Sequence, residues 1–265
     1  MTTGMSTSCF FGKRTVEDAI DIMNQMGVKT AEVFLNTFCE YRPEYIAELK
    51  KRIDAAGMNV YSVHPHGVQY EPQLFSQYER SRKDAEDIFR QVLCAASVLG
   101  AKNYVCHGGI ALKRNGSHPN MERLAGIVDR LCDIAAEYGI RFCYENVHWC
   151  WFNRPEFAEL LLKYTDNKNL GFTLDVKQAA QSGYDVCEYI TAMSGRICNL
   201  HICDYIREKE GVRPVMPPGG ELDTERLKAA LSDYSGAAIL EVYGDNYDGF
   251  GELEQAYSKF CELFR

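Results

Sequence analysis

The sequence predicts an α/β fold, a single (β/α)8 TIM barrel that spans residues 1–265. Short apolar runs alternate with longer amphipathic runs eight times, and no low-complexity segment separates the pairs. Alternating strands and helices are typical of a parallel sheet covered by helices, and eight such units in about 250 residues fit a closed barrel. A doubly wound open sheet is the rival architecture, but no GxGxxG motif follows the first predicted strand.

In the first half of the chain, glycine and proline mark the ends of the predicted helices. The first helix stops at Gly27, and the second begins at Pro43 and stops at Gly57. The third helix stops at Gly100. The predicted strand–helix pairs are 5–11 with 15–27, 30–36 with 43–57, 59–67 with 77–100, and 103–109 with 120–139.

The second half of the chain repeats this alternation without a break. Short apolar runs again precede longer runs with helical spacing. The predicted pairs are 141–146 with 155–166, 170–176 with 186–195, 196–205 with 222–236, and 237–244 with 250–265.

Composition and charge narrow the classes of function. The chain is 46% hydrophobic and 25% charged, which is typical of a globular enzyme, and its net charge of −8 argues against binding nucleic acid mainly through phosphates. No apolar run approaches the ~20 residues that span a bilayer, and the first residues do not resemble a secretion signal. Eleven cysteines without a CxxC motif fit free thiols in a reducing compartment, so we expect a cytoplasmic protein.

A histidine or an acidic residue recurs near the carboxyl end of six consecutive predicted strands. In a barrel of this kind, the carboxyl ends of the strands and the loops after them build the active site. A single such residue is more often a hydrogen-bonded core group, so the pattern is informative only as a set. In strand order the residues are His64, His107, Glu145, Asp175, His201 and Glu241.

Four of these residues, on four successive strands, predict a metal site. Three carboxylates beside a neutral imidazole would repel one another in a barrel interior, because buried charges are stable only when paired or bound to a cation. The donor set of nitrogen and oxygen suits Mn²⁺, Mg²⁺, Co²⁺ or Zn²⁺, of which we expect Mn²⁺. The predicted metal ligands are Glu145, Asp175, His201 and Glu241.

Short motifs around these residues resemble the xylose isomerase-like barrels, a superfamily that includes sugar-phosphate isomerases and epimerases, ketose 3-epimerases, inosose dehydratases and endonuclease IV. The motifs are YEN (144–146), TLD (173–175), NLHICD (199–204), VMPPGGELD (215–223) and LEV (240–242). The resemblance implies that the four predicted ligands hold one divalent ion. It also implies that Glu145 and Glu241, which match the two glutamates of the epimerases, act as acid and base.

The chemistry of these residue types leads to the same catalytic pair. Removing a proton next to a carbonyl needs a base and stabilisation of the enediolate that forms, which a bound metal supplies. Glu145 and Glu241 would take a proton from one face of the substrate and return it on the other. The predicted function is isomerisation or epimerisation of a ketose or cyclitol through a metal-bound enediolate.

Three alternatives remain at this point. A metal-dependent dehydratase or lyase acting on a keto-sugar or inosose begins with the same proton abstraction. An endonuclease IV-like phosphodiesterase would use His64 and His107 for additional metals, but Gln178 stands where that nuclease has a histidine, and His201 is the last histidine of the chain. A non-catalytic sugar-binding subunit that kept the barrel is the third alternative, and an intact ligand set argues against it.

Several further residues are predicted to contact a small sugar or polyol. His64 and His107 match positions that line the sugar pocket of the isomerases, and Gln178 can both donate and accept hydrogen bonds. Trp151 stands where ketose 3-epimerases carry a glutamate. The predicted substrate-binding residues are His64, His107, Gln178, Arg213 and Trp151.

Other aromatic residues and histidines lie in or near the predicted loops at the barrel mouth. Trp149 and Phe152, and Phe10 and Phe11 at the end of the first predicted strand, either wall the pocket or pack on the barrel. We expect loop positions rather than metal ligation for the remaining histidines, which are His66, His118 and His148. No phosphate-binding loop is evident, and homo-oligomerisation is expected only by analogy with relatives.

Overall fold

The computed structural model describes residues 1–111 and 119–265 and contains a closed barrel of eight parallel strands. The strands follow one another around the barrel in the order β1-β10-β7-β6-β5-β4-β3-β2, and β1 pairs with β2 to close it. The barrel strands are β1 Thr2–Ser6, β2 Thr30–Leu35, β3 Asn59–Pro65, β4 Asn103–Cys106, β5 Arg141–Glu145, β6 Leu170–Asp175, β7 Ile197–Ile202 and β10 Ala237–Leu240. The predicted (β/α)8 fold is confirmed.

Helices connect the strands and cover the outside of the barrel. Each of the eight predicted helices has a counterpart, although most are a few residues shorter than predicted. The structure adds two short helices, α3 and α7, that the periodicity did not reveal. The helices are α1 Val16–Gln25, α2 Pro43–Ala55, α3 Glu71–Leu74, α4 Glu79–Leu99, α5 Met121–Glu137, α6 Glu156–Leu162, α7 Val176–Gln181, α8 Val186–Ala192, α9 Thr224–Ala230 and α10 Phe250–Leu263.

The first strand differs from its prediction. It ends at Ser6 and not at residue 11, because the chain turns into a short 3-10 helix at Thr7–Phe10. The Ser6 side chain accepts a hydrogen bond from the Ser8 backbone N–H, which caps that turn. Phe10 packs in the core, whereas Phe11 is exposed at the rim of the barrel.

The seventh predicted strand is two elements. β7 ends at Ile202, and the chain then enters an antiparallel hairpin of β8 Asp204–Arg207 and β9 Val212–Val215. The buried Asp204 carboxylate accepts hydrogen bonds from the backbone N–H groups of Gly220 and Leu222, at 2.8 and 3.0 Å. Asp204 therefore fixes the loop over the barrel mouth and is separate from the ligand set of His201.

The interior of the barrel is polar, while the layer between strands and helices is apolar. Glu32 on β2 hydrogen-bonds Asn199 on β7 across the interior, since these two strands are not neighbours. On the outer side, Phe89 of α4 packs edge-on against Tyr104 and Phe142, with ring centroids 4.9 and 6.2 Å apart. The polar interior carries the site, and the outer layer supplies the hydrophobic stabilisation. No helix in the described part of the chain is long and apolar enough to span a bilayer.

We expect Gly4→Ala to destabilise the barrel by about 1–3 kcal/mol, because an added methyl group must be accommodated in a filled core. A β-carbon on Gly4 would lie 2.7 Å from the backbone oxygen of Thr30 and 2.7 Å from Ile239 Cδ1. The measurement is the free energy of unfolding in urea.

The matched control is Gly126→Ala, at an exposed position inside α5 where a β-carbon would meet no atom within 4 Å. That variant should gain about 0.5–1 kcal/mol from helix propensity. Equal effects at the two glycines would contradict the close packing of β1 on β2.

Candidate metal centre and active site

The barrel brings the four predicted metal ligands together. Glu145 and Asp175 are the last residues of β5 and β6, His201 is the fifth residue of β7, and Glu241 directly follows β10. These strands are consecutive around the barrel, with the two glutamates on the outer strands of the four. One ligand atom from each residue lies within 4.8 Å of the others, and all four side chains are buried, with exposed fractions of 0–9%.

The imidazole of His201 is the centre of this cluster. Its Nδ1 lies 2.8 Å from Glu241 Oε2 and 3.1 Å from Glu145 Oε1. These carboxylates, with Glu32, raise the pKa of His201 well above its usual value although burial lowers it. A proton on Nδ1 thus lies where two carboxylates converge, which is the position that a shared cation would take. Three carboxylates and one imidazole around one point fit a divalent ion.

Asp175 is held in place by its backbone and by its own helix cap. Asn146 donates to the Asp175 carbonyl oxygen at 2.9 Å and accepts from the Asp175 N–H at 2.8 Å. Asp175 Oδ1 caps α7 by accepting from the Gln178 N–H at 2.7 Å. Burial raises the pKa of Asp175 to about 6; the nearby Lys177 ammonium lowers it and the carboxylates of Glu145 and Glu241 raise it. A bound cation would relieve this repulsion.

The two predicted catalytic glutamates have different surroundings. Glu241 Oε1 accepts from the Ser8 hydroxyl at 3.2 Å, whereas Glu145 Oε2 lies 3.0 Å from His107 Nε2. Burial alone would raise both pKa values. The imidazoles of His201 and His107 nevertheless lower the pKa of Glu145 to about 2, and those of His201 and His64 hold the pKa of Glu241 well below its usual range. Both glutamates are therefore poised as bases.

His64 and His107 also lie inside the site. Their Nε2 atoms are 2.9 Å apart, so one ring donates and the other accepts. His64 Nδ1 lies 3.5 Å from Glu241 Oε1 and 3.6 Å from Glu32 Oε1. These carboxylates raise the pKa of His64 to about 10 against the lowering effect of burial. Two further groups of described residues have the spacing of metal ligands. One is His64, His107 and Glu145, and the other is Glu32, His64, His201 and Glu241.

Glu32 is a site residue that the sequence analysis missed. It is fully buried in β2, and its Oε2 lies 2.9 Å from His201 Nε2, 2.6 Å from the Ser62 hydroxyl and 3.0 Å from Asn199 Nδ2. A carboxylate that accepts from the second ring nitrogen fixes the tautomer and orientation of a ligating histidine. Its signal in the sequence is a charged residue within the apolar run TAEVFLN, away from the carboxyl end of the strand.

Two other residues predicted to contact substrate, Gln178 and Arg213, lie near the β8–β9 hairpin. Gln178 Oε1 accepts from the His148 N–H and lies 2.6 Å from His148 Nδ1. Gln178 and Lys177 line a small cavity of about 80 Å³ beneath the hairpin. Arg213 is exposed on β9 and pairs with Glu208 at 2.9 Å. The substrate-binding roles of Gln178 and Arg213 remain predictions.

The two tryptophans of the loop after β5 lie differently. Trp151 packs edge-on against Phe75 and over Gly109, where a β-carbon would come within 2.5 Å of the indole. The Trp149 ring lies 5.7 Å from that of His107. Trp149 therefore contacts a site histidine, and the substrate role of Trp151 remains a prediction.

Two of the three remaining histidines, His66 and His148, lie in loops as predicted. The His66 ring is tilted against Phe34 and edge-on to Phe11, with ring centroids 5.9 and 5.6 Å away. His148 lies in the loop after β5 beside Gln178. His118 falls outside the described residues. None of the groups with metal-ligand spacing in the described chain includes His66 or His148.

We expect Glu32→Gln to weaken the binding of Mn²⁺ about 10- to 100-fold, because the imidazole of His201 loses its charged second partner. The measurement is the dissociation constant from calorimetric titration of metal-free protein. Glu48→Gln, on the exposed face of α2, is the control and should bind as the wild type does. Unchanged affinity in Glu32→Gln would remove Glu32 from the site.

Comparison with known proteins agrees with the fold. The model of a family described as xylose isomerase-like TIM barrel matches residues 15–265. No curated protein matches the sequence. An IOLI protein with a bound zinc atom has a TM-score of 0.81 at 17% identity, covering 99% of this chain and 98% of that one. A D-psicose 3-epimerase crystallised with D-fructose has a TM-score of 0.79 at 15% identity, covering 100% and 98%.

A further solved structure, the probable 3-DHS dehydratase AsbF of Bacillus anthracis, has a TM-score of 0.77 at 14% identity, covering 100% of this chain and 98% of that one. At such identities these likenesses show a shared fold and leave the reaction open. The family match covers nearly the whole chain. This chain therefore belongs to the xylose isomerase-like TIM barrel family.

Proposed function

We propose that this chain is a divalent-metal-dependent isomerase or epimerase of a ketose or cyclitol. The observation that carries the proposal is the convergence of Glu145 and Glu241 on His201 Nδ1, with Asp175 within 4.8 Å. Solved structures with this fold include sugar epimerases, such as 3-keto-D-glucoside 4-epimerase from E. coli. Their fold and this buried cluster together support an enzyme that moves a proton beside a carbonyl.

The residues of the cluster assign the parts of the proposed mechanism. Glu145, Asp175, His201 and Glu241 would hold the ion. When bound, a divalent cation polarises a carbonyl and stabilises negative charge that develops on oxygen. Glu32 and Asn146 hold His201 and Asp175 in the required positions.

Glu145 and Glu241 would transfer the proton. They lie on the outer strands of four consecutive strands in a closed barrel, so they approach the centre from different sides. One carboxylate takes the proton from the carbon beside the carbonyl. The other glutamate would receive a proton from the histidine beside it, His64 for Glu241 or His107 for Glu145, and return it to the opposite face. Configuration at that carbon is inverted, and no atom is gained or lost.

A chain of polar atoms connects the two glutamates. Glu241 Oε1 lies 3.5 Å from His64 Nδ1, the two Nε2 atoms of His64 and His107 are 2.9 Å apart, and His107 Nε2 lies 3.0 Å from Glu145 Oε2. After one turnover the glutamates have exchanged protonation states. His107 contacts both His64 and Glu145 through Nε2, so a proton would pass between them as the His107 ring turns from one partner to the other. The two histidines would thus reset the site for the next substrate.

Charge in the site favours an uncharged polyhydroxy substrate over a phosphorylated one. Among the described residues close to the four ligands, Lys177 is the cation that does not depend on histidine protonation. It is engaged with the Tyr243 hydroxyl at 2.5 Å and lies 3.9 Å from Asp175. The four carboxylates of Glu32, Glu145, Asp175 and Glu241 would repel a phosphate.

Elimination of water from a keto-sugar or inosose is the second candidate. It needs the same proton abstraction and, in addition, an acid that protonates the departing hydroxyl. His64 is such an acid, because its raised pKa of about 10 keeps it protonated at neutral pH beside Glu241. The fold of the probable 3-DHS dehydratase is compatible with this reaction.

Exchange of substrate hydrogen with solvent deuterium tests the proposal directly. We expect the Mn²⁺-loaded protein in D₂O to place one deuterium beside the carbonyl of a ketose or inosose, read by NMR and mass spectrometry. Epimerisation leaves the mass otherwise unchanged, whereas elimination removes water. Glu145→Gln and Glu241→Gln should each slow exchange by about 10²–10⁴-fold, since each removes one acid–base group.

Because both glutamates are also predicted ligands, the exchange rates are compared at saturating Mn²⁺ with the bound metal measured in each variant. Glu48→Gln on the surface of α2 serves as the control. Epimerisation at the full wild-type rate by a metal-loaded Glu241→Gln protein would contradict the two-glutamate mechanism. Absence of exchange with every ketose and inosose would leave the metal site without its proposed reaction.

Removal of the ion should lower thermal stability, because a ligand that binds only the folded chain stabilises it. At about 100 times its dissociation constant, Mn²⁺ should add about 2.7 kcal/mol and raise the unfolding midpoint by about 5 °C or more. The measurement is calorimetry with Mn²⁺ or with chelator. The shift should disappear in Glu241→Gln, and an equal shift in that variant would place the ion elsewhere.

A further inference from the structure

The end of the barrel opposite the metal ligands holds a second, larger cavity of about 770 Å³. We call it the basal cavity and define it by Lys102, Arg141, Cys198, Asp233 and Tyr234, which are among its lining residues. Cys198 is the second residue of β7 and His201 the fifth, so at about 3.3 Å per residue the two lie about 10 Å apart along the strand. The proposed function does not use this cavity.

A break in strand pairing directs the Cys198 thiol into this end of the barrel. The register between β6 and β7 shifts between Phe172 and Thr173, which leaves Cys198 as the extra residue of β7. Its Sγ fills the space beside Gly171, where a β-carbon would come within 2.5 Å of the sulfur. The glycine at position 171 thus provides the space that the thiol occupies.

Two neighbouring groups stabilise the thiolate form of Cys198. The Arg141 guanidinium donates from Nη1 to Cys198 Sγ at 3.2 Å. The hydrogen bond with the Cys143 thiol and then the Arg141 charge lower the pKa of Cys198, although burial raises it. Burial instead raises the pKa of Cys143 well above its usual value. The thiolate is therefore on Cys198, at the wall of the cavity.

The cavity offers space for a small molecule beside this sulfur. Lys102 and Arg141 contribute two cationic side chains to its lining, which balance the Asp233 carboxylate and the Cys198 thiolate, while Tyr61 and Tyr234 contribute rings. Its volume lies within the range of about 300–1,000 Å³ that is usual for small-molecule sites. A thiolate beside a guanidinium is the form of cysteine that attacks sulfur.

We propose that Cys198 is a site of thiol–disulfide exchange with small disulfides that enter the basal cavity. The Cys198 thiolate attacks one sulfur of the disulfide RS–SR and forms the mixed disulfide Cys198–S–SR. The S–S bond of the reagent breaks, and RS⁻ leaves with the electron pair. No other oxidant is required, and the inference is independent of the proposed function.

The mixed disulfide is expected to persist and not to be resolved by Cys143. Cys143 lies on β5 and Cys198 on β7, with β6 between them. Neighbouring strands are about 4.8 Å apart, so the two Cα atoms are separated by about 9 Å. A disulfide spans at most about 7 Å between Cα atoms, so Cys143 is too far away to displace the mixed disulfide. The Cys143 thiol donates to Asn103 Oδ1 at 3.6 Å.

The test is competitive labelling of the native, metal-loaded protein with less than one equivalent of dithiobis(2-nitrobenzoate), a dianionic disulfide, followed by peptide mass mapping. The exposed Cys39 and Cys94 are internal references. At pH 7 we expect Cys198 to react about tenfold faster than either reference, because its thiolate is already formed. Labelling of Cys39 and Cys94 while Cys198 remains free would overturn the proposal.

Arg141→Gln should slow the labelling of Cys198 about tenfold and leave the rates at Cys39 and Cys94 unchanged, since it removes the charge beside one thiol only. An unchanged Cys198 rate in that variant, with normal circular dichroism, would also overturn the proposal. Cys198→Ser should show labelling only at other cysteines.

Discussion

Neutralisation of buried charge at one end of the barrel is the constraint on which the site depends. Four carboxylates, from Glu32, Glu145, Asp175 and Glu241, are buried there within reach of imidazoles. Ionised groups away from water are stable only when each has a partner of opposite charge or a cation. His201 meets this need for three of the four carboxylates, because its imidazole contacts Glu32, Glu145 and Glu241.

The fold makes this concentration of charge possible. Parallel strands deliver their last residues to the same end of the barrel, and the apolar layer between strands and helices supplies the stability that the polar interior does not. The hydrogen bond from Asn199 to Glu32 crosses the interior and positions the carboxylate behind His201. The same strand, β7, carries the register shift that leaves Cys198 unpaired with β6, directly before Asn199. Strand β7 therefore contributes residues to both the metal site and the basal cavity.

Much of the fold and part of the site were accessible from sequence, because the barrel repeats one simple unit. The spacing of apolar residues, with glycine and proline at helix ends, predicted eight strand–helix pairs. The residues at the ends of four strands predicted the cluster that the structure brings together. Glu32 and Ser8 were missed for different reasons. Glu32 lies in mid-strand, and its partners come from β3 and β7, a contact across the barrel that no local pattern encodes. Ser8 reaches Glu241 only because the chain turns after Ser6, where an extended strand had been predicted.

The proposed site around His201 should hold one divalent ion. The direct test is elemental analysis of protein loaded with Mn²⁺ and freed of unbound metal, with Glu241→Gln measured alongside. We expect one ion per chain in the wild type and a strongly reduced content in the variant. No bound metal in the wild type would contradict the proposed metal site. Two or more ions per chain would also contradict it, because His64, His107 and Glu145 would then form a second metal site in place of a proton path.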